Sequence, residues 1–391
     1  MSGEKTFSSI TRADGLDSSF EKYTRSDGRE KMRKEDGIKL VETLEERRRF
    51  SIFAGFDAAV DGIYALLAEQ TESGTVRMGT IADFAGHVAA AAGKSTNVGR
   101  RLLEVRAGGN SVLCAGALQR LGASVTVVAN VGRPMHRVFR GLRSGGAEVH
   151  STGEPNGTDA LEFSDGKILL TDSSPLERLT YDAIVDSLPG GQSPVDLMVA
   201  QDAVVLTNWT MMPGGTAIYR RLLGEAAALP GSAPFFFDIS DPARRSTREI
   251  FELLDLISDF SSCCRVFLSL NRKEMERVAG PIDSSGTVEE RKEIMGKLHR
   301  RWPLEWILHC PDGADSFGRD GWHRAEGFFT PQPLTSTGGG DHFNGGFLHG
   351  VLCGLPRELA LLLGNAVSGA YVRLGHSPTG AEVGQFLLEM A

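Results

Sequence analysis

The chain has 391 residues, of which 41% are hydrophobic and 24% charged, with a formal net charge of −8. Such a balance belongs to an ordinary globular protein built as one large α/β domain or two smaller ones. The acidic sum and the lack of a lysine/arginine block argue against a nucleic-acid partner, and no apolar run is long enough to cross a bilayer.

Residues 1–48 read as a polar N-terminal extension, partly disordered, that closes on a helix in "IKLVETLEERRRF". The opening stretch lacks the apolar core of a signal peptide, and five cysteines without a CxxC pair suit reduced thiols, so a cytoplasmic location is expected. From 49 to 391 one folded domain is expected. "FSIFAGF" is a short apolar run closed by glycine, the pattern of a buried strand. Similar runs follow in "SVTVVANVG", "DAVVLTNW", "APFFFDIS", "CRVFLSLN" and "LEWILHCPDG". Between them lie helical patterns such as "SVLCAGALQRLGA", "TAIYRRLLGEAAAL" and "STREIFELLDLISDF". The alternation predicts a three-layer α/β/α fold with a mostly parallel central sheet. Ligands of such sheets gather beyond the carboxyl ends of the strands, where Asn130, Asn208, Asp238, Asn271 and Asp312 stand.

"TDALEFSDGKILLTD" has a different texture. Two alternating segments flank a Ser-Asp-Gly turn, which predicts a hairpin apart from the parallel core, acting as a small β lid. Lid segments are expected within 62–107 and 155–175. "AAAGKSTN" imitates a phosphate-binding loop. The pattern needs a glycine where Val88 stands and a strand where "TIADFAGHVAAAA" reads as helix, so it is set aside.

The segment "TSTGGGDHFNGGF" carries the strongest chemical signal. Gly338, Gly339 and Gly340 leave main-chain N–H groups unobstructed, and a helix starting near Asp341 adds its own unpaired donors and positive dipole end. That is a cradle for an anion. A carboxylate at its mouth suits a base that takes a proton from a hydroxyl attacking a phosphoryl group. The blander reading is that Asp341 caps the helix, which would need no glycine run. Gly345 and Gly346 inside the helix each cost about 1 kcal/mol against alanine, so close packing must offset them.

This stretch resembles the second signature of the ribokinase-type (PfkB) carbohydrate kinase family, with Thr335 and Gly339 replacing the usual aspartate and alanine. "GGNSVLCAGALQRLGASVTVVANVG" is similar to the first signature, and "LSLNRKEMERVAG" to the N-x-x-E motif between them. The resemblance spans about residues 50–385. It implies a ribokinase-like fold and ATP-dependent phosphotransfer to a hydroxyl of a sugar or sugar-like molecule. Asp341 would be the base, and Gly338, Gly339 and Gly340 the anion hole. Asp57, Asp61, Gly108, Gly109 and Asn110 would hold the acceptor. Asn271, Gly313 and Asn365 would meet the nucleotide, and Glu274 would organise Mg2+ through water. A sugar or nucleoside substrate, a monovalent cation and a homodimer through the lid are further expectations from the family. Gly313 survives in "LHCPDGADSFG", where Pro311 and Asp312 replace the usual phosphate-loop residues and the loop is one residue shorter.

Three rival readings remain. The "GFDAAVDG" spacing looks more like ADP-dependent sugar kinases, and the altered phosphate loop fits a regulator that binds sugar or nucleotide without catalysis. A dinucleotide-dependent oxidoreductase is the weakest, because no G-x-G-x-x-G follows the first strand.

Overall fold

The computed structural model describes residues 32–46, 48–71, 74–227, 233–280 and 287–390. Most of the extension expected to be disordered therefore lies outside the described residues. The chain begins with α1 (Lys34–Glu45), β1 (Ser51–Phe56), β2 (Ala59–Thr71), β3 (Gly74–Arg77), α2 (Ile81–Ala90) and β4 (Gly99–Gly108). Next come α3 (Asn110–Arg120), β5 (Ser124–Ala129), α4 (Arg140–Ser144), β6 (Glu148–Ser151), β7 (Asn156–Phe163) and β8 (Gly166–Asp172). Short helices α5 (Ser174–Glu177), α6 (Tyr181–Ser187) and α7 (Pro194–Val199) lead to β9 (Ala203–Thr207), α8 (Gly215–Ala226), β10 (Phe235–Asp238) and α9 (Thr247–Phe260). Then follow β11 (Val266–Asn271), α10 (Arg272–Ala279), α11 (Val288–Arg301), β12 (Glu305–Cys310), β13 (Gly313–Gly318) and β14 (Gly321–Glu326). Helices α12 (Gly339–Leu352), α13 (Arg357–Leu374) and α14 (Gly380–Met390) complete the fold.

All six apolar runs become strands of one nine-stranded sheet, ordered β14-β13-β12-β11-β10-β9-β1-β5-β6. Neighbours from β6 to β12 run parallel, and only the β12–β13–β14 edge is antiparallel. Both faces are buried, so the strands are apolar throughout, yet alternate residues still go to opposite layers. Ile52, Val127, Phe236, Phe267 and Ile307 meet α3, α12, α13 and α14 on one side. Phe53, Val204, Phe237, Leu268 and Leu308 meet α8, α9 and α11 on the other. This is the expected α/β/α fold.

The helix expected over 38–50 instead starts at Lys34 and ends at Glu45. Leu40 and Leu44, one turn apart, are buried against the core beside α14. This part of the polar stretch does have something to bury.

A second sheet, ordered β3-β2-β7-β8 with β4 on β2, stands apart as the lid. The predicted hairpin is β7–β8, paired from Gly157↔Asp172 to Phe163↔Gly166. Its core is small: Leu66, Met78 and Leu161, with Phe84 and Phe163 packed on it. The phosphate-loop lookalike falls in the turn after α2, with no strand before it.

Candidate active site

The site grows from one buried carboxylate. Asp57, just past β1, is fully buried and accepts four hydrogen bonds. The donors are the Asn110 and Ser111 backbone N–H groups at 2.8 and 2.9 Å, Thr207 Oγ1 at 2.9 Å and Asn208 Nδ2 at 2.8 Å. Both oxygens are taken up in fastening the start of α3 to the ends of β1 and β9. The expectation that Asp57 touches substrate is therefore corrected, because its lone pairs are spent inside the protein.

So fastened, Asn110 points its amide at the glycine segment, where Nδ2 donates to Asp341 Oδ1 at 2.9 Å. Ser240 Oγ donates to Asn110 Oδ1 at 3.0 Å, which fixes the orientation of the amide. The network continues through Asp238, which accepts from the Ser240 N–H at 2.9 Å and from Asn344 Nδ2 at 2.7 Å. Two motifs distant in sequence thus meet at Asp341.

Helix α12 starts at Gly339, slightly before the expected point, with Gly338 at its N-cap position at φ 90° and no side-chain cap. Asp341 does not cap the helix, so the blander reading of this residue fails. The Gly339 N–H turns back to the Ser336 carbonyl at 3.3 Å, and the Gly340 and Asp341 N–H groups stay available for an anion. His342 reinforces the turn, since its backbone N–H and its Nδ1 both lie within hydrogen-bond reach of the Gly338 carbonyl, at 3.0 and 2.7 Å. The helical glycines are explained by close approach. A Cβ on Gly345 would lie 2.9 Å from Ala117 Cβ of α3, and one on Gly346 would lie 2.7 Å from Val367 Cγ2 of α13.

Asp341 is buried, and burial pushes its carboxyl well above the usual carboxylate range, with the Asp238 and Asp57 charges adding to the shift. Burial likewise lifts Asp238 to about 6 and Glu274 to about 8, each acid also raised by a neighbouring carboxylate. Asn271 and Glu274 form a reciprocal cap on α10. The Asn271 N–H and Nδ2 donate to Glu274 at 2.8 and 2.7 Å, and the Glu274 N–H donates to Asn271 Oδ1 at 3.0 Å. Among the described residues no group of three or more His, Cys, Asp or Glu side chains is placed to hold a metal ion unaided.

A cavity of about 480 Å³ opens beside the cradle, lined by Asn271, His309, Cys310, Gly339, Gly340 and Asn365 among others. Asn365 Nδ2 is engaged by the Ala325 and Glu326 carbonyls at 3.1 and 3.0 Å, so the amide also ties α13 to the end of β14. Gly313 does not line this cavity, contrary to expectation. A Cβ there would lie 2.5 Å from the Ala325 carbonyl oxygen, so this glycine serves the β13–β14 contact. Asp312 is turned toward Arg291 and Arg324, at 3.3 and 3.4 Å.

On the opposite side Asp61, in β2, faces the cleft from the lid. Burial raises its proton affinity, while a Thr158 hydrogen bond and the Arg106 and Lys167 charges oppose that shift. Its carboxylate lies over Gly108, where any Cβ would strike it, and Gly109 at φ 96° passes against the Ala58 backbone. Two lid residues escaped sequence reasoning. Arg106 donates to Thr335 Oγ1 at 3.2 Å and Lys167 Nζ to Thr337 Oγ1 at 2.9 Å, joining lid strands to the segment that precedes the cradle. Their sequence trace is weak. Each is one basic residue on a half-exposed strand.

A lid over a parallel sheet, an uncapped glycine-rich helix start and a buried carboxylate beneath it define a carbohydrate kinase of the ribokinase fold. Among solved structures, Arabidopsis thaliana ribokinase complexed with ribose and ATP aligns with TM-score 0.59 at 16% identity, over 86% of this chain and 98% of that one. Adenosine kinase from Sinorhizobium meliloti aligns with TM-score 0.61 at 16% identity, over 88% of this chain and all of that one (100%). The sequence profile of the prokaryotic ketohexokinase family matches residues 38–390, and the chain belongs to that family. A ketohexokinase from Haloferax volcanii is 27% identical over 343 residues, covering 86% of this chain and 90% of the relative.

Proposed function

We propose that this chain transfers the terminal phosphoryl group of ATP to a hydroxyl of a ketohexose, with Asp341 as general base. The observation that carries the reading is the meeting of Asp341 with Asn110 at 2.9 Å, directly under an uncapped helix start. A carboxyl whose proton affinity burial has raised is suited to accept the proton of an attacking alcohol. The N–H groups of Gly340 and Asp341 aim at the place where charge gathers on the moving phosphoryl group. The lid side, with Asp61 and Asn110, faces the acceptor. The cavity lined by Asn271 and Asn365 faces the nucleotide.

Mg2+ fits this donor set. Asp238, Glu274 and Asp341 hold protons unusually well, each lifted by burial and by a neighbouring carboxylate, a situation a hard divalent ion relieves. Glu274 and Asp238 would hold the ion through water, with further ligands from the nucleotide phosphates, and its chemistry would be to neutralise charge on those phosphates.

The test is phosphate-transfer product analysis with a panel of ketohexoses, aldoses and nucleosides. ATP or ADP serves as donor, with and without a monovalent cation. Phosphorylated ketohexose from ATP is expected. Asp341→Asn should keep the wild-type melting behaviour while turnover falls about 100-fold to 10,000-fold, the usual contribution of a general base. Near-normal turnover in that variant removes Asp341 from its role.

A further inference from the structure

His309, at the end of β12, is the one strand-end imidazole on the cavity wall, and the proton-transfer scheme above gives it no part. It packs on Phe343, with ring centroids 5.2 Å apart at 31°. It also occupies the space that a side chain on Gly340 would need: a Cβ there would lie 2.9 Å from His309 Cε1 and 3.4 Å from Nε2. The ring edge is therefore in contact with the cradle's own backbone.

Its hydrogen bonding sets it apart. His342 engages the Gly338 carbonyl through Nδ1, at 2.7 Å, and Ser377 Oγ through Nε2, at 2.8 Å. His299 has the Leu304 carbonyl at 2.7 Å. Neither ring nitrogen of His309 has a hydrogen-bond partner among the described residues, although the ring lines an open cavity. Burial alone lowers its proton affinity, to about 4, so the ring is neutral near pH 7 and keeps one N–H to donate. The ring is half-buried with its nitrogens unpaired beside the cavity, and the cavity is where a partner can arrive.

We infer that His309 contacts the nucleoside triphosphate, presenting an uncharged N–H to the phosphate chain where it enters the glycine cradle. The inference rests on the reading of this cavity as the nucleotide seat. It also accounts for the shortened "HCPDG" loop: with Pro311 in place of a glycine and Gly313 given over to the β13–β14 contact, an imidazole supplies a donor that a longer glycine loop would offer from its main chain.

Two variants separate donor from wall. His309→Phe keeps the ring stacked on Phe343 and removes the N–H; His309→Asn restores a neutral donor on a smaller side chain. Binding of a non-hydrolysable ATP analogue and of adenosine would be measured by calorimetry, alongside KM for the ketohexose and a thermal melt. Loss of a hydrogen bond to a charged group predicts analogue binding weakened about 10-fold or more in His309→Phe. Adenosine affinity and sugar KM should be unchanged, and His309→Asn should recover part of the loss. In the wild type, the imidazole 15N signals should shift on adding the analogue but not adenosine. The inference is overturned if His309→Phe binds the analogue like wild type, or if analogue and adenosine are weakened equally, which would make the ring a wall and no more. Failure of the wild type to bind the analogue at all would instead sink the kinase reading.

Discussion

Two aspartates four positions apart, Asp57 and Asp61, look equivalent in "GFDAAVDG" and do different work. Asp57 accepts four donors and is fully buried, while Asp61 sits on the lid with Thr158, Arg106 and Lys167 as its neighbours. Asp57→Asn would place an NH2 group among donors and remove the charge they converge on, costing about 3 kcal/mol. A large drop in the denaturant midpoint is expected, with activity lost through unfolding. Asp61 is also buried, but a single Thr158 hydrogen bond and the nearby Arg106 and Lys167 charges hold it, so Asp61→Asn should cost about 1 kcal/mol, less than Asp57→Asn, and raise the KM for sugar. Equal stability of the two variants would contradict this division. The cradle was legible in the sequence because main-chain chemistry leaves a compositional mark, three glycines against one acid. The role of Asp57 was not, since it depends on Asn110, Thr207 and Asn208, which only the fold brings near. Gly313 misled for the same reason: its glycine character answers the Ala325 carbonyl and no ligand.

At the scale of elements, alternation of apolar strands and amphipathic helices made the central sheet readable. Strand β4, half solvated, gave no such signal, and β13 and β14 follow a turn that sequence treated as a ligand loop. Helix α10 shows how one motif serves two ends. Its N-x-x-E spacing is at once a capping box and the holder of a carboxyl at about 8. Asn271→Ala should cost about 1 kcal/mol of stability through the lost cap, read as a lower melting temperature. Glu274 has a pH signature of its own. It binds its proton more tightly in the folded than in the unfolded chain, so its contribution is complete below the ordinary carboxylate range and is lost as pH rises through about 8. Asp238 contributes in the same sense, lost through about 6. In metal-free buffer the melting temperature should therefore fall between pH 6 and pH 9. Glu274→Gln keeps the cap's acceptor and cannot ionise, so its profile should be flatter over the upper part of that range. A slope as steep as wild type would shift the origin of the effect to another group.

Considered as a whole, the molecule divides its cleft between a rigid floor and a lid tied to it by few bonds. The floor carries Asp57, Asn110, Asp238 and Asp341 on helix starts and strand ends packed between two helical layers. The lid has a core of three buried side chains, and Arg106 and Lys167 reach across from it to Thr335 and Thr337. Such a sheet is marginal alone, and its surface bears this out. Register places Leu102 of β4 opposite Tyr64, and Leu170 of β8 opposite Asp159, on one lid face with Leu161. Leu102 is 50% exposed and Leu170 55%, flanking the part of that face that packs near α2. Apolar side chains left open on a thin, free-standing sheet are what a second copy would cover, which makes a homodimer through the lid our expectation for the protein in solution. Light scattering should give twice the chain mass of 42.1 kDa for the wild type, and Leu102→Asp with Leu170→Asp should give one. Because the substituted positions lie outside the floor, the monomeric variant should keep its melting behaviour, while the lid, deprived of its partner, should raise the KM for sugar. A wild type that already runs as a monomer would leave the exposed leucines as plain consequences of a sheet too small to bury them, and a double variant that remains dimeric would place the covering surface elsewhere.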